Sequence, residues 1–442
     1  MKELMEKIVS LSKRRGFVFP SSEIYGGFAS CYDFGPLGVL MKNNIKKFWW
    51  QEMLKGHHNI FGLDSSILMS PQVWKASGHL TAGFADELVE CRSCHKRFKI
   101  EETKNKKCPE CGGKITKPKK FNLMMKTFVG PIEEDSAVTY LRAETCQGIY
   151  VNFKNILNTT RAKIPFGVAQ IGKAFRNEIT TKNFIFRTRE FEQMEMQWFC
   201  QPKEAKKWFN FWLKERLKWL RKTGLKKDHL RIKKVPKKER AHYAKEQIDI
   251  EYKFPFGWQE IEGVHNRGDW DLKNHSQSSG EDFSYFDPEK KERYFPWIIE
   301  TSIGVERLFL ALLCEGYQEI KGGRTKTTKS AKEIEILLRL NKKIAPISVA
   351  VFPLLKNKPP LVKKAKEVYN LLKPHFYCLY DEADSIGRRY RRVDEIGCPF
   401  GITVDFESLN KKDVTVRERD TMKQKRVKIK DLVCYLKEKL NT

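Results

Sequence analysis

Two Cys-x-x-Cys pairs, Cys91 with Cys94 and Cys108 with Cys111, lie in the stretch CRSCHKRFKIEETKNKKCPECGG with 13 residues between them. Each pair can form a tight knuckle, and together they supply the four soft ligands of a closed tetrahedral zinc site. The glycines after the second pair let the backbone turn so that its amides face the sulfurs. Four sulfurs leave no need for the adjacent His95 and no open position for a substrate, so the expected role of the metal is structural. A redox pair is the alternative.

Residues 175–199, FRNEITTKNFIFRTREFEQMEMQWF, set three arginines among four glutamates in what reads as two strands joined by the turn TTKN. Alternation puts Gln170, Arg176 and Glu178 on one face of the first strand, with Ile171 and Phe175 on the other. In the second it puts Arg187, Arg189, Phe191, Gln193 and Glu195 opposite Met194, Met196 and Trp198, and Glu190 and Glu192 fall on that second face. An arginine can hold a phosphate bidentately and an aromatic ring can stack on a base, so a purine nucleotide fits this surface. Further on, WIIETSIGVERLFLALL reads as a strand that passes at residues 302–304 into a helix with Leu308, Leu312 and Leu313 inward. Glu300 stands at the strand end. Arg307 falls with Glu306 in the first helical turn, where a cation opposes the helix dipole and needs a partner such as a phosphate.

The elements that must hold these groups can be read around them. Residues 1–90 carry an amphipathic helix, the Gly-rich turn YGGFASCYDFGPLGVL, and a second helix whose apolar side, Ile45, Phe48, Trp49 and Met53, suits a core or a subunit interface. A short basic insertion runs from residue 91 to about 120. Strand-like segments then dominate to about residue 339, broken by a helix near 204–221 with Phe209, Trp212, Leu213, Leu217 and Leu220 on one face. Residues 322–346 read as a helical, charged connection closed by a proline. Beyond it strands and helices alternate, the pattern of a small α/β domain. No repeat of solenoid period is present.

Composition narrows the partners. The 442 residues suffice for about three folding units, and 40% hydrophobic content excludes a disordered chain. A net charge of +29, from 84 Lys and Arg against 55 Asp and Glu, can draw in a polyanion, with nucleic acid the first candidate. Residues 203–245 concentrate 17 of the basic residues against 4 acidic ones, as an RNA-backbone surface or the solvated side of a helix and loop. The first residues carry charges where a signal peptide needs an apolar core, and no run approaches the ~18 apolar residues of a membrane span. A cytoplasmic protein is expected, and the paired cysteines suit a reducing compartment.

Taken together, DFGPLGVLMKNNIKKFWW, FRNE with RTREFEQME, and ETSIGVER resemble the three signature motifs of class II aminoacyl-tRNA synthetases. More narrowly, RGFVFPSSEIYGG, FNLMMKTFVGP, LRAETCQGIYVNFKN, DIEYKFPFGWQE, NRGDWDL and VTVRERDTMKQKRV are similar to the homodimeric glycyl-tRNA synthetases along nearly the whole chain. The resemblance implies an α+β catalytic domain, an antiparallel sheet flanked by helices, over 1–90 and 121–340. It also implies a zinc-binding insertion over 91–120 and a C-terminal α/β anticodon-binding domain over 341–442. The implied reaction joins glycine to tRNA(Gly) through glycyl-adenylate, with ATP, Mg²⁺ and a structural Zn²⁺.

Carried over by resemblance, Arg176, Glu178 and Arg307 are the catalytic group. Arg176 holds the α-phosphate, Glu178 meets the adenine edge, Phe191 stacks on adenine, and Arg307 takes the γ-phosphate and the other ring face. Asn177, Phe186, Arg187, Thr188, Arg189, Glu190, Glu260, Ile261, Gly304, Val305 and Glu306 complete the nucleotide site, with Glu260 and Glu300 near Mg²⁺. The glycine site takes Glu144, Phe191, Glu192, Gln193, Met194, Glu195, Arg267, Glu300, Thr301, Ser302, Ile303 and Gly304, and Arg142 stands where the family contacts carboxylate or phosphate. Lys99 replaces an arginine found in many members, keeping the charge without the bidentate fork, and Cys146 stands where alanine is usual. The alternatives are another class II synthetase, for proline, threonine or histidine, and a synthetase-like accessory protein. The glutamates of the amino-acid site argue against the first. Retention of Arg176, Glu178, Glu300 and Arg307 argues against the second.

Overall fold

A computed structural model describes residues 2–81, 84–103, 107–179, 183–241, 243–324 and 334–441. Seven strands form the sheet that carries the site: β1 (Ile60–Leu63), β2 (Phe166–Phe175), β3 (Glu190–Cys200), β4 (Leu230–Lys234), β5 (Glu246–Phe254), β6 (Gly257–Gly268) and β7 (Trp297–Gly304). They lie in the order β4-β5-β6-β7-β3-β2-β1. All neighbours are antiparallel except β1, which pairs parallel to β2. The sheet is therefore mixed rather than wholly antiparallel, because the long excursion between β1 and β2 gives the chain room to return in the same direction.

The two faces differ in what they bury. Met194, Met196, Trp198, Ile299 and Ile303 point to the back, into the main core. Four helices supply the other side of that core: α1 (Lys2–Arg15), α2 (Pro36–Gly56), α3 (Ala205–Lys222) and α4 (Val305–Gly316). The stripes that form them are those of amphipathic helices, Met41, Ile45, Trp49 and Met53 in α2 and Phe209, Trp212, Trp219 and Leu220 in α3. Leu213 and Leu217 of α3 are only partly buried, and Arg216 takes an inward place by pairing with the buried Glu262. On the front face Phe166, Val168, Phe199 and Ile298 form a second core under the helices Cys146–Val151, Phe153–Thr160 and Trp270–Ser279. The rest of that face stays polar and open.

Two expectations fail locally. Residues 176–179 and 183–189 are not strand and include one helical turn, Phe184–Phe186; residues 180–182 of the expected TTKN turn lie outside the described residues. Arg176, Glu178, Arg187 and Arg189 thus lie outside the strands, where strand alternation does not apply. The connection expected to be helical instead contains the strand Ile334–Leu338, paired antiparallel to Tyr317–Lys321. Glu335, Leu337 and Leu338 are buried there, so packing prevails over the charge pattern; residues 325–333 lie outside the described residues.

The insertion is a three-stranded sheet, Ala85–Glu90, Arg97–Lys99 and Lys119–Asn122, over a small core of Val89, Cys91, Phe98 and Cys108. Past residue 348 a five-stranded mixed sheet forms, in the order Cys378–Tyr380, Val349–Pro353, Phe400–Val404, Asp413–Glu418, Gln424–Lys428. Its first three strands are parallel and its last two antiparallel. Ala350, Phe352, Val393, Ile396 and Cys398 from this unit are buried in the main core, so the two units share one interior. Arg324 ties the junction further, donating to Glu335 at 2.8 Å and to the Arg419 carbonyl at 2.6 Å. Among the described residues no helix is long and apolar enough to cross a membrane.

Candidate active site

The open part of the front face is a single elongated cavity, and register explains its floor. Glu195 of β3 lies opposite Gln170 of β2 and Ser302 of β7, and Glu300 of β7 lies opposite His265 of β6. Side chains at these paired positions share one face. Glu144 joins them from the segment ahead of the helix Cys146–Val151, so three carboxylates meet in one buried place.

Each is held by the protein. Glu144 accepts from Gln147 Nε2 at 2.9 Å and from the Cys146 thiol at 2.9 Å, with His79 Nε2 at 3.3 Å. Burial opposes its charge, yet His79 and then Arg267 hold its carboxyl well below the usual range. Glu300 accepts from Arg267 Nη1 at 2.7 Å and faces His265 Nδ1 at 3.3 Å. Against the effect of burial, those two partners hold it down at about 2. Glu195 accepts from the Thr145 hydroxyl and from Gln193 Nε2 at 3.4 Å. Burial first, and then the charges of Glu300 and Glu144, push it up to about 8. Arg267, the cation of the floor, also grips Asp271 through two bonds of 2.7 and 2.8 Å. The floor therefore has more carboxylates than cations and keeps one proton near neutral pH, an arrangement that a small ammonium ion completes.

The other end of the cavity is lined by half-buried arginines and rings. Arg176 donates to the Ala143 carbonyl at 3.1 Å and lies 5.4 Å from the centre of the Phe191 ring. Arg307 sits 4.6 Å above Phe186 and donates to the carbonyl and carboxylate of Glu260 at 3.1 and 3.2 Å. The partner required by an arginine in a first helical turn is thus supplied within the protein. Glu178 carries a buried Oε2 with no hydrogen-bond donor in contact, and Arg187 Nε is 4.0 Å away. Phosphate and purine chemistry suit these groups.

Of the residues expected at the site, Glu144, Arg176, Glu178, Phe186, Arg187, Thr188, Phe191, Gln193, Glu195, Glu260, Ile261, Glu300, Ser302, Gly304, Glu306 and Arg307 line this cavity. Others do not. Met194, Ile303 and Val305 are in the main core, and alternation turns Thr301 to the same back face. Arg189 turns outward to the Ala29 carbonyl at 3.2 Å. Glu190 is exposed and pairs with Lys173, while Glu192 faces Lys42 at 2.8 Å and Lys46 at 2.9 Å. Asn177 joins the Leu123 carbonyl through its backbone at 2.8 Å. Arg142 is buried, donating to the Ser65 carbonyl at 2.8 Å, and a Cβ on Gly172 would come within 2.1 Å of its guanidinium. Arg267 acts behind Glu300. Lys99 reaches in from the insertion, paired with Asp86 and 3.7 Å from Glu178. Glu306 spends one oxygen on Lys42 at 2.6 Å and the other on the Glu192 amide at 2.9 Å.

Sequence reasoning missed Tyr243, Gln247, Gly263 and His265, which also line the cavity. Period two from Glu260 does not reach His265, because β6 shifts register near Ile250 and Glu251 of its neighbour β5. Tyr243 lies in the basic stretch 203–245 that pointed to RNA. Several charges of that stretch are internal pairs, Arg216 with Glu262, Lys222 with Glu52, and Arg231 with Glu251.

The Sγ atoms of Cys91, Cys94, Cys108 and Cys111 all lie within 4.8 Å of one another, which suits one tetrahedral metal ion. The backbone amide of Cys94, and then that of Ser93, hold the Cys91 thiol down at about 6. His95 points away, 3.6 Å from Glu90 and exposed.

Comparison with known proteins agrees with this geometry. Residues 129–317 match the family described as tRNA synthetase class II core domain (G, H, P, S and T), and residues 348–439 match that of the anticodon binding domain. The chain is 50% identical over 442 residues to a protein of Borreliella afzelii (strain PKo) named glycine–tRNA ligase, covering 99% of this chain and 97% of that one. A glycine–tRNA ligase of Treponema denticola is equally similar, at 50% over 442 residues with the same coverage. One of Alkaliphilus oremlandii (strain OhILAs) is 48% identical over 465 residues, covering 99% and 98%.

Proposed function

This chain belongs to the glycine–tRNA ligases, and from that premise we propose how its residues join glycine to tRNA(Gly) with ATP. The observation that carries the assignment is the floor of three buried carboxylates sharing one proton, which an ammonium completes. In the first step a glycine carboxylate oxygen attacks the α-phosphorus of ATP, the bond to the β-phosphate oxygen breaks, and pyrophosphate leaves. In the second, a ribose hydroxyl of the terminal tRNA adenosine attacks the glycyl carbonyl and AMP leaves.

Glu144, Glu195 and Glu300 accept the three N–H bonds of the glycine ammonium, with the Glu195 proton released as it binds. Arg176 neutralises charge on the α-phosphate and Arg307 on the γ-phosphate. Phe191 stacks on the adenine, and the Glu178 oxygen without a donor accepts from its exocyclic amine. Lys99 sets the charge around Glu178. Glu190, Glu192, Met194, Thr301, Ile303 and Val305 act through the shape of β3, β7 and the start of α4. Of the two carboxylates considered for Mg²⁺, Glu260 fits, facing the cavity beside Arg307. Glu300 is assigned to the ammonium instead: Arg267 at 2.7 Å and His265 at 3.3 Å both meet its Oε2, which leaves Oε1 for the ligand. Bound there, Mg²⁺ would supply neutralising charge to the ATP phosphates. The four cysteines fit Zn²⁺, which would fix the knuckles of the 91–120 insertion.

The units follow as a catalytic domain over 1–90 and 121–340 and an anticodon reader over 341–442. A cleft where α2 meets the second unit presents Lys47, Lys342, Lys343, Lys373 and Lys437 beside Tyr377, suited to an RNA backbone. A homodimer is supported by the exposed apolar residues Ile24, Tyr25, Phe28 and Val39. The site of translation, the cytoplasm, is the proposed location.

Pyrophosphate exchange into ATP, measured with each of the twenty amino acids, tests the assignment. Exchange is expected with glycine alone; exchange driven by proline or threonine and not glycine would overturn it.

A further inference from the structure

Beyond the glycine end lies a second cavity, of about 350 Å³, for which the reaction above has no use. Tyr243 lines both cavities. Arg267 lines the outer one while anchoring Glu300 in the inner one. The Arg267 guanidinium lies 3.5 Å from the centre of the Tyr243 ring, and the His265 ring meets it edge-on at 6.2 Å. Burial, against the pull of Arg267, pushes the Tyr243 hydroxyl far above its ordinary range, so the ring stays neutral among the charges of Glu300 and Glu144. The outer cavity is walled by Trp270, Lys273 and Asn274, whose amide nitrogen is buried without a hydrogen-bond partner.

The space behind the ring would take a methyl or hydroxymethyl group with room to spare, since a single water accounts for about 30 Å³. Tyr243 is the residue common to the linings of both cavities, with Arg267 beside it. Arg267 against one side of the ring and His265 against another restrain it. Arg267 in turn cannot follow it outward while Asp271 and Glu300 hold three of its nitrogens.

We propose that Tyr243, clamped on Arg267, is the specificity-determining wall of the amino-acid site, closing the mouth of a side-chain pocket and so rejecting alanine, serine and larger amino acids. The inference rests on glycine being the amino acid activated. It assigns selectivity to a blocked pocket rather than to an attractive contact, which suits a substrate with no side chain to grip. An open apolar pocket separates ligands differing by a methylene by only about 10- to 200-fold, whereas a closed wall does better.

The test is pyrophosphate exchange by Tyr243→Ala and Tyr243→Phe with glycine, alanine and serine. Tyr243→Phe keeps the wall and is expected to stay selective for glycine. Tyr243→Ala opens the wall and is expected to lower the preference for glycine over alanine by about 10- to 200-fold, the scale of a one-methylene difference in a pocket. A Tyr243→Ala protein that exchanges with glycine and still ignores alanine and serine overturns the proposal. Should it fail to fold, as judged by thermal melting, Tyr243→Leu is read in the same way, with alanine as a competitor of glycine exchange; no competition overturns the proposal equally. Absence of glycine exchange in the unaltered protein would instead remove the glycine assignment.

Discussion

At the proposed glycine end of the cavity Glu144, Glu195 and Glu300 are buried and already held by the protein's own donors, whereas at the proposed nucleotide end Arg176, Arg187 and Arg307 are half-buried, and Arg176 and Arg307 bond chiefly to main-chain carbonyls. The difference follows from the ligands. Glycine brings one ammonium, one carboxylate and no handle with which to organise a site, so its carboxylates must stand ready before it arrives. Holding like charges together without it is unfavourable, and the proton on Glu195 relieves that repulsion. ATP is large and carries several charges, so it can draw solvated arginines into place at modest cost in ordering. In the proposed reading one end selects, and the other binds and reacts.

The largest effect should come from the reacting end. Arg176→Ala is expected to lower glycine-dependent exchange about 10³-fold, the scale of a lost transition-state donor, with tRNA affinity by filter binding nearly unchanged. If tRNA binding fell in parallel, the arginine would be structural and the division between ends would break.

A smaller loss, confined to glycine, is expected at the selecting end. Glu195→Gln removes a charged acceptor and should raise the KM for glycine about 10- to 100-fold, from the ~1.5–3 kcal/mol of such a bond, leaving the KM for ATP unaltered. The sign of the pH dependence follows from Glu195 standing at about 8 in the free site. Below that value ammonium binding must displace its proton, so the KM for glycine should rise as pH falls from 8 to 6, by at most about tenfold per unit. The Gln variant should lose that slope; an unaltered enzyme with a flat profile would mean the floor holds no shared proton.

The smallest effect belongs outside both ends. Glu190→Ala, an exposed residue paired with Lys173, should change exchange with glycine less than about twofold. A tenfold loss would return the outer carboxylates of β3 to the site.

How far the chain announces all this can be judged from particular residues. Alternation along β3 separates Gln193 and Glu195 from Met194, Met196 and Trp198, and the sheet does so too. The same rule fails for residues 176–179 and 183–189, because β2 ends at Phe175 and Asn183 and Phe184 are left-handed. Arg189 consequently faces away. His265 and Tyr243 escape notice for another reason, since only the pairing of β6 with β7 brings His265 beside Glu300, and long-range pairing leaves no local pattern. Motif residues identify which carboxylates gather, but not that Glu195 would be the one to keep a proton. That depends on its complete burial, and then on the charges of Glu300 and Glu144 beside it, which only the assembled sheet brings together.

The interior shared by the two large units has a last consequence. With Ala350, Phe352, Val393 and Ile396 packed among residues of α2, α4 and the main sheet, the C-terminal unit is not a module swinging on a tether. The span from anticodon reader to glycine floor is then set by the fold itself, like the gap of a calliper with its screw tightened. An RNA meeting both would have to match that span in length and bend.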